Sequence, residues 1–435
     1  MGSDWPKRQL ADLCDPDRKI AYGILKVGDF VSDGIPVIRG GDVREGRVVF
    51  DDDKRVTQEI SNQFSRTILK GGEIVINLIS EPGHSAIVPK GFSGYNVSRD
   101  VAVIPLGDSV DHRYVDYFLR SRWAIDWLTA RLQGSVTQKI NIGTLRELPV
   151  PIPPLAEQKR IAGILGALDD KIELNRKMNE TLEQMAKVLF KSWFVDFDPV
   201  HAKAVGRQPA SMDKATADLF PDSFVDSELG KVPKGWEVSE LGQIADVIDC
   251  LHAKKPEASE TGQLYLQLNN IRDDGLIDIS ETFLIGLEDY KKWTSRMEAT
   301  EGDCVITNVG RVGAVAQIPQ GMKAALGRNI TGIRCKPIFT NPTFLIECLM
   351  SEEMREEIRR KTDTGTILDA LNVKSIPKLR FIRPPLMITE RFERLARPLR
   401  HQMERGVSQS RTLTDLRDTL LPKLLSGDPT KTSHK

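Results

Sequence analysis

Pro153-Pro154-Leu155-Ala156-Glu157-Gln158 opens the stretch that decides the fold. An apolar ladder follows at Ile161, Leu165, Leu168, Ile172, Leu182, Ala186, Leu189 and Trp193, with a polar rung at Asn175. Steps of three or four residues put these side chains on one stripe of a helix. The two prolines fix its start, because Pro is tolerated only in the first turn. About 39 helical residues at 1.5 Å rise span roughly 58 Å. That is long for an ordinary helix, so the sequence predicts a spacer rod near mid-chain.

Working outward, the 435 residues predict several domains. Apolar content of 40% with 28% charge describes a globular chain rather than a disordered one. No apolar run is long enough for a membrane span. Met1-Gly2-Ser3-Asp4-Trp5-Pro6 carries no signal-peptide pattern. The five cysteines (Cys14, Cys250, Cys304, Cys335, Cys348) are scattered without a C-x-x-C pair, which points to reduced thiols and a cytoplasmic location. The 61 basic and 61 acidic residues cancel. A non-specific coat for nucleic acid would be basic, so any DNA binding needs local positive charge or a partner's help.

Before the rod, Gly34–Ile38, Glu73–Ile79, Ala86–Val88 and Val101–Ile104 read as strands, and Val56–Phe64 and Tyr114–Leu132 as helices. Tyr117, Phe118, Trp123 and Trp127 fall at helical spacing, which favours core over base stacking. This is a mixed α+β globule, mainly β. Residues 196–232 are polar and irregular and read as a surface connector.

At Pro233 the chain begins again. Val75, Ile76, Gly83, Pro89 and Gly91 recur in order, at one constant offset, as Val305, Ile306, Gly313, Pro319 and Gly321. Pro153, Pro154, Leu155, Arg160, Leu168, Glu173 and Leu182 recur likewise as Pro384, Pro385, Leu386, Arg391, Leu399, Glu404 and Leu413. A register held constant along the whole rod marks a tandem duplication of globule plus rod. The globules share glycines, prolines and apolar positions but little polar surface, which suits two different ligands on one frame. Pro398 and Gly406 lie inside the second rod, so a kink or fresh start is expected near Pro398.

Catalytic signatures are missing. There is no phosphate loop, no G-x-G-x-x-G and no G-x-S-x-G elbow, and the six histidines stand apart. Pro-Pro-Leu faintly resembles the Asn/Asp-Pro-Pro-aromatic loop of amino-methyltransferases. Ile152 and Arg383 replace its amide or carboxylate, so it reads as a helix start. Asp222, Glu228 and Lys231 miss the spacing of a metal-nuclease triad.

The order globule, Pro-Pro-Leu-x-Glu-Gln rod, globule, rod resembles the specificity subunit of type I restriction-modification systems. So do Leu155-Ala156-Glu157-Gln158-Lys159-Arg160-Ile161, the closing Leu416-Arg417-Asp418-Thr419-Leu420-Leu421-Pro422-Lys423-Leu424-Leu425-Ser426-Gly427, and Gly230-x-x-Pro233-x-Gly235-Trp236. The resemblance implies an α+β chain with two mainly-β target-recognition domains separated by two long helices packed as an antiparallel coiled coil, related by pseudo-twofold duplication. Residues 1–150 would form the first recognition domain, 151–195 the central helix and 196–232 the connector. Residues 233–381 would form the second recognition domain, 382–427 the distal helix and 428–435 a disordered tail. It further implies double-stranded DNA, two methyltransferase subunits and restriction subunits as partners. S-adenosylmethionine, ATP and Mg are expected on those partners, with no catalysis, metal or cofactor in this chain. An autonomous methyltransferase or nuclease, and a protein–protein adaptor that never reads DNA, are the rival readings.

Arg pairs with guanine and Asn or Gln with adenine at base edges. The DNA-contact candidates are therefore Arg39, Arg44, Arg47, Arg99, Thr137, Gln138, Lys139 and Asn141 in the first globule. In the second they are Gln267, Asn269, Asn270, Arg272, Arg311, Arg328, Asn329, Thr366 and Asn372. The rod stripe is wider than a two-helix seam needs, and Ile164, Met178, Met185 and Phe190 flank it as candidate partner-binding residues.

Overall fold

The computed structural model describes residues 5–44, 46–50, 54–79, 81–132, 138–363 and 369–426. Two compact units emerge, Met1–Ile172 with Thr412–Lys435, and Glu173–Arg411. Each contains one globule and parts of both long helices.

In the first unit a four-stranded antiparallel sheet runs in the order Ala21–Tyr22, Val101–Ile104, Ile74–Asn77, Ser85–Ile87. The β-branched runs Ile74-Val75-Ile76 and Val101-Ala102-Val103-Ile104 are wholly buried, the pattern of strands covered on both faces. A second sheet pairs Ile35–Ile38 antiparallel with Arg55–Val56 and parallel with Asn96–Val97. The expected strands are present. The helix expected over Tyr114–Leu132 is instead two helices, His112–Leu119 and Arg122–Thr129. Ser121 breaks it: its hydroxyl donates to the Phe118 carbonyl at 2.6 Å and accepts from Ala124 N at 3.3 Å, so it caps the second helix. Tyr117 and Phe118 are buried, and Trp123 and Trp127 pack against the same core.

The second unit repeats this plan. Its antiparallel sheet runs Ala245–Ile248, Ile330–Cys335, Cys304–Thr307, Val315–Gln317, and Gln263–Leu266 pairs parallel with Lys323–Leu326. Even the register recurs: Ile104 faces Ile74 in one sheet, and Ile333 faces Cys304 in the other. Each globule also closes its own ends. Lys7–Gln9 pairs with Pro149–Pro151, and Glu237–Glu240 with Arg380–Arg383, immediately before the two Pro-Pro starts.

The long helices, Leu155–Phe194 and Leu386–Leu425, are each 40 residues. Gln158 of the opening stretch is buried and ties the first helix to its globule. Its Oε1 accepts from Asp111 N at 2.9 Å and its Nε2 donates to the Pro153 carbonyl at 2.8 Å. In the first unit, Ile161 and Leu165 share a core with Leu421 and Leu425, and Arg417 Nη1 donates to Asp169 Oδ1 at 2.8 Å. In the second unit, Asn175 Nδ2 donates to Gln409 Oε1 at 3.0 Å and Asn179 Nδ2 to the Met403 carbonyl at 3.0 Å, while Phe190 packs against Phe392. Within each unit partner numbers fall as the first helix's numbers rise, so the helix halves run antiparallel.

Three expectations change. The second helix runs through Pro398 as one element with no fresh start. Gly406 is a packing device rather than a weakness, because a Cβ there would lie 2.5 Å from Asn179 Oδ1. Residues 196–232 are not merely a surface connector: Phe197, Val200 and Phe220 are buried in the second unit's core. Arg391 of the long helix holds Asp213 at 2.9 Å and donates to Thr216 Oγ1 at 2.6 Å. The tail falls outside the described residues.

Asp169 supplies a pH test of this packing. Burial alone raises its carboxyl, but Arg120, Arg417 and the Tyr117 hydroxyl override that and hold it below the usual range. A depressed folded value means stability that is fully present above the unfolded value, about 3.9, and lost as pH falls through the folded one. Asp169→Asn is expected to lower Tm at neutral pH, with the gap from wild type closing in acid. A gap that does not change with pH contradicts the assignment.

Candidate nucleic-acid interface

Backbone pairing brings the polar candidates to one edge of each globule. In the first unit Ser98 N donates to the Ile38 carbonyl at 2.8 Å, so Arg39 and Arg99 leave adjacent ends of the parallel strand pair. Leu78 N donates to the Asp100 carbonyl at 2.7 Å, Ile140 N to the Leu78 carbonyl at 2.9 Å, and Ile79 bridges Lys139. These links carry Gln138 and Lys139 to the same edge. Arg39, Arg44, Arg99, Gln138 and Lys139 are exposed there, and Arg47 is half-buried. Arg44 and Arg47 face each other across a short hairpin.

The second unit builds the same edge from different side chains. Gly327 N donates to the Leu266 carbonyl at 2.9 Å, so Gln267 and Arg328 take the places of Arg39 and Arg99. Asn308 N donates to the Asn329 carbonyl at 2.8 Å, and Leu371 N to the Asn308 carbonyl at 2.9 Å. Arg311 projects from the neighbouring loop, where Nη1 donates to the Ile271 carbonyl at 2.6 Å and Nη2 to Asp273. Asn329 takes a left-handed φ of 66°, which Asn tolerates better than most residues. Among the described residues neither Arg39 nor Arg328 makes an ion pair, which leaves both charges available.

Other candidates are spent inside the fold. Asn270 is 1% exposed, accepts from Gln267 N, and donates to the Asp278 and Glu281 carbonyls at 2.8 and 3.1 Å. It organises the turn after Gln263–Leu266 and has no reach toward a ligand. Asn141 and Asn372 are helix N-caps, accepting from Gly143 N and Lys374 N. Arg272 is paired with Asp274 at 2.7 Å, whereas Asn269 is exposed, with a long 3.3 Å hydrogen bond to Glu281, and stays available. Thr137 and Thr366 lie outside the described residues. Among the partner-binding candidates, Ile164, Met178 and Met185 are 37, 39 and 52% exposed. Phe190 is corrected: it is buried, with ring centroids 5.0 Å from Phe194 and 5.7 Å from Phe344.

Two features escaped the sequence. Lys255 donates to Gln267 Oε1 at 2.6 Å and lies 4.0 Å from the Phe283 ring centroid, a pairing across a loop that no local pattern marks. Asp249, Cys250 and His252 bring potential metal-ligating atoms within 4.8 Å of one another. There, His252 Nε2 is 2.7 Å and the Arg296 guanidinium 3.5 Å from Asp249 Oδ2. The fixed Arg296 cation opposes a second one, and burial pushes the Cys250 thiol up, away from the thiolate a metal needs.

With this doubled edge in place, comparison with known proteins is informative. Residues 2–184 match the family model described as the type I restriction modification DNA specificity domain. The chain is 26% identical to the MjaIX type I restriction enzyme specificity subunit of Methanocaldococcus jannaschii, over 98% of this chain and 93% of that one. It is 25% identical to the HindI specificity subunit of Haemophilus influenzae, over 98% and 100%. Over nearly its whole length the chain is therefore similar to specificity subunits of type I restriction enzymes. Its fold is that of the specificity subunit from M. genitalium, with TM-score 0.57 at 16% identity, covering 99% of this chain and 97% of that one. Two globules and two long helices are thus a fold shared with that protein, and within this chain the two edges differ in their side chains.

The division between structural and available polar groups is measurable. Asn270→Ala is expected to cost about 1–3 kcal/mol in denaturant unfolding, because it orphans buried backbone carbonyls. Asn269→Ala should stay within about 0.5 kcal/mol. Equal effects would contradict the division.

Proposed function

We propose that this chain reads a bipartite, asymmetric DNA sequence as the non-catalytic specificity subunit of a type I restriction-modification complex. The observation that carries this reading is the edge built twice on one backbone plan with different side chains. Arg39 and Arg99 stand where Gln267 and Arg328 stand in the repeat. Arg favours guanine and Gln favours adenine at major-groove edges, each good bidentate pair being worth about 1–3 kcal/mol of discrimination. Two such edges suit two different half-sites. Recognition is assigned to residues 1–150 and 233–381, and the long helices set the separation.

Arg44, Arg47 and Lys139 supply local positive charge on a chain with none in net, and charges of this kind hold phosphates without reading sequence. Partner subunits then share the remaining phosphate contacts. Two methyltransferase subunits dock on the long helices, where Ile164, Met178 and Met185 leave apolar surface uncovered. They bring S-adenosylmethionine for adenine methylation, and restriction subunits bring ATP- and Mg-dependent cleavage. The complex works in the cytoplasm, in keeping with the absence, among the described residues, of a helix long and apolar enough to cross a membrane.

Exchanging residues 1–150 for the same region of a relative tests this. The methylated sequence should change in one half only. A change in both halves, or in neither, contradicts modular reading.

A further inference from the structure

An arginine largely shielded from solvent lies against the same turn in both repeats, yet it comes from different places in the chain. In the second unit it is Arg400, on the helix Leu386–Leu425 and 3% exposed. Its Nη1 is 3.6 Å from Glu347 Oε1, and its Nη2 donates to the Gly275 carbonyl. In the first unit it is Arg120, the C-terminal cap of His112–Leu119. Its Nε is 3.4 Å from Asp116 Oδ2, and its Nη2 donates to Asp169 Oδ2 at 2.9 Å. A Cβ added to Gly46 would lie 1.8 Å from its Nη1, so the guanidinium packs directly on that glycine.

The repeat superposes these sites. Gly46 and Gly275 occupy matching positions in the two copies and have φ of +75° and +74°. Asp116 matches Glu347 at the offset that also relates the two Pro-Pro starts, and Asp169 matches Arg400 at that same offset. Turn glycine, helix acid and long-helix residue are therefore common to both, but the charges are permuted. The long helix gives the anion Asp169 in one unit and the cation Arg400 in the other. What survives is a guanidinium wedged between the acid and the turn, tied to the long helix.

Stability is a weak reason to keep such an arrangement, since well-packed apolar side chains often replace a buried ion pair at no loss. The turns themselves supply a better one. Gly46 sits in the Arg44–Arg47 hairpin and bridges the sheet at Ala86. Gly275 sits beside Arg272 and Asp274, next to the Arg311–Asp273 contact, and its carbonyl also accepts from Gln317 N at 3.0 Å. Both turns flank the proposed reading edges.

We propose that Arg120 and Arg400 are positioning residues for DNA readout, which lock these turns to the long helices so that each half-site is read against a fixed rod. The inference rests on the proposed reading of the edges as DNA-facing.

The test uses the full chain assembled with its methyltransferase subunits, read by the methylated sequence and by thermal melting of the complex. Arg400→Met combined with Glu347→Gln removes both buried charges together. It should leave melting and assembly intact, relax base preference in the second half-site, and slow methylation of the cognate site about tenfold, the scale of one lost base contact. Arg120→Met with Asp116→Asn should relax the first half-site alone. An unchanged methylated sequence, or equal relaxation of both halves by either pair, overturns the inference. Arg328→Ala separates it from the underlying reading. If Arg328→Ala relaxes the second half-site while the Arg400 pair does not, only the positioning role fails. If neither does, the DNA-facing edge fails as well. Arg400→Lys covers a double variant that does not fold. It keeps the charge but loses the forked donor, so a relaxed second half-site supports the proposal and an unaltered one overturns it.

Discussion

A long amphipathic helix cannot stand in water with its stripe bare, and most of this chain is arranged around covering two of them. In each unit a half of one long helix lies against an oppositely running half of the other. The two contacts use different chemistry. Leu, Ile and an Asp169–Arg417 pair make the first, while a cluster of Phe190, Trp193, Phe194 and Phe392 with two buried asparagines makes the second. Buried Asn175 and Asn179 have few alternative partners, so they fix register as well as contributing energy. Each globule is joined to its rod where its first and last strands pair, immediately before a Pro-Pro start.

The frame and the faces answer to different constraints. Buried strands with matching register and turn glycines with positive φ recur in both copies, since any change there costs packing or backbone strain. The exposed strand ends carry no such penalty, and there the copies part, with Arg39 against Gln267. A duplicated fold that keeps its frame while these strand ends differ is well suited to carrying two recognition surfaces. The permuted arginine cluster follows the same logic from inside: the contact is kept while the residue that provides it is not.

The rods and the duplication are legible in sequence because helical period and constant register are long-range signals, and agreement along an entire rod leaves little room for error. Strands with continuous β-branched runs are legible too. The helix break at Ser121 is not, since one capping hydroxyl is local and the apolar spacing runs straight across it. Residues 196–232 look polar on average, and average polarity hides three well-placed apolar anchors, Phe197, Val200 and Phe220. At the candidate interface, composition points to polar residues after strand ends but does not separate a reader from a cap. Asn141 and Asn372 cap helices, Asn270 folds a turn, and Phe190 turns inward, because hydrogen-bond partners and burial are set by tertiary pairing rather than by neighbours in sequence.

The central claim is that one chain carries two independent reading edges. Methylome sequencing of a strain that expresses this chain with its methyltransferase subunit addresses it most directly. The account predicts one methylated adenine motif made of two unlike halves separated by an unspecified spacer of fixed length. A single continuous motif, or two identical halves, would contradict it.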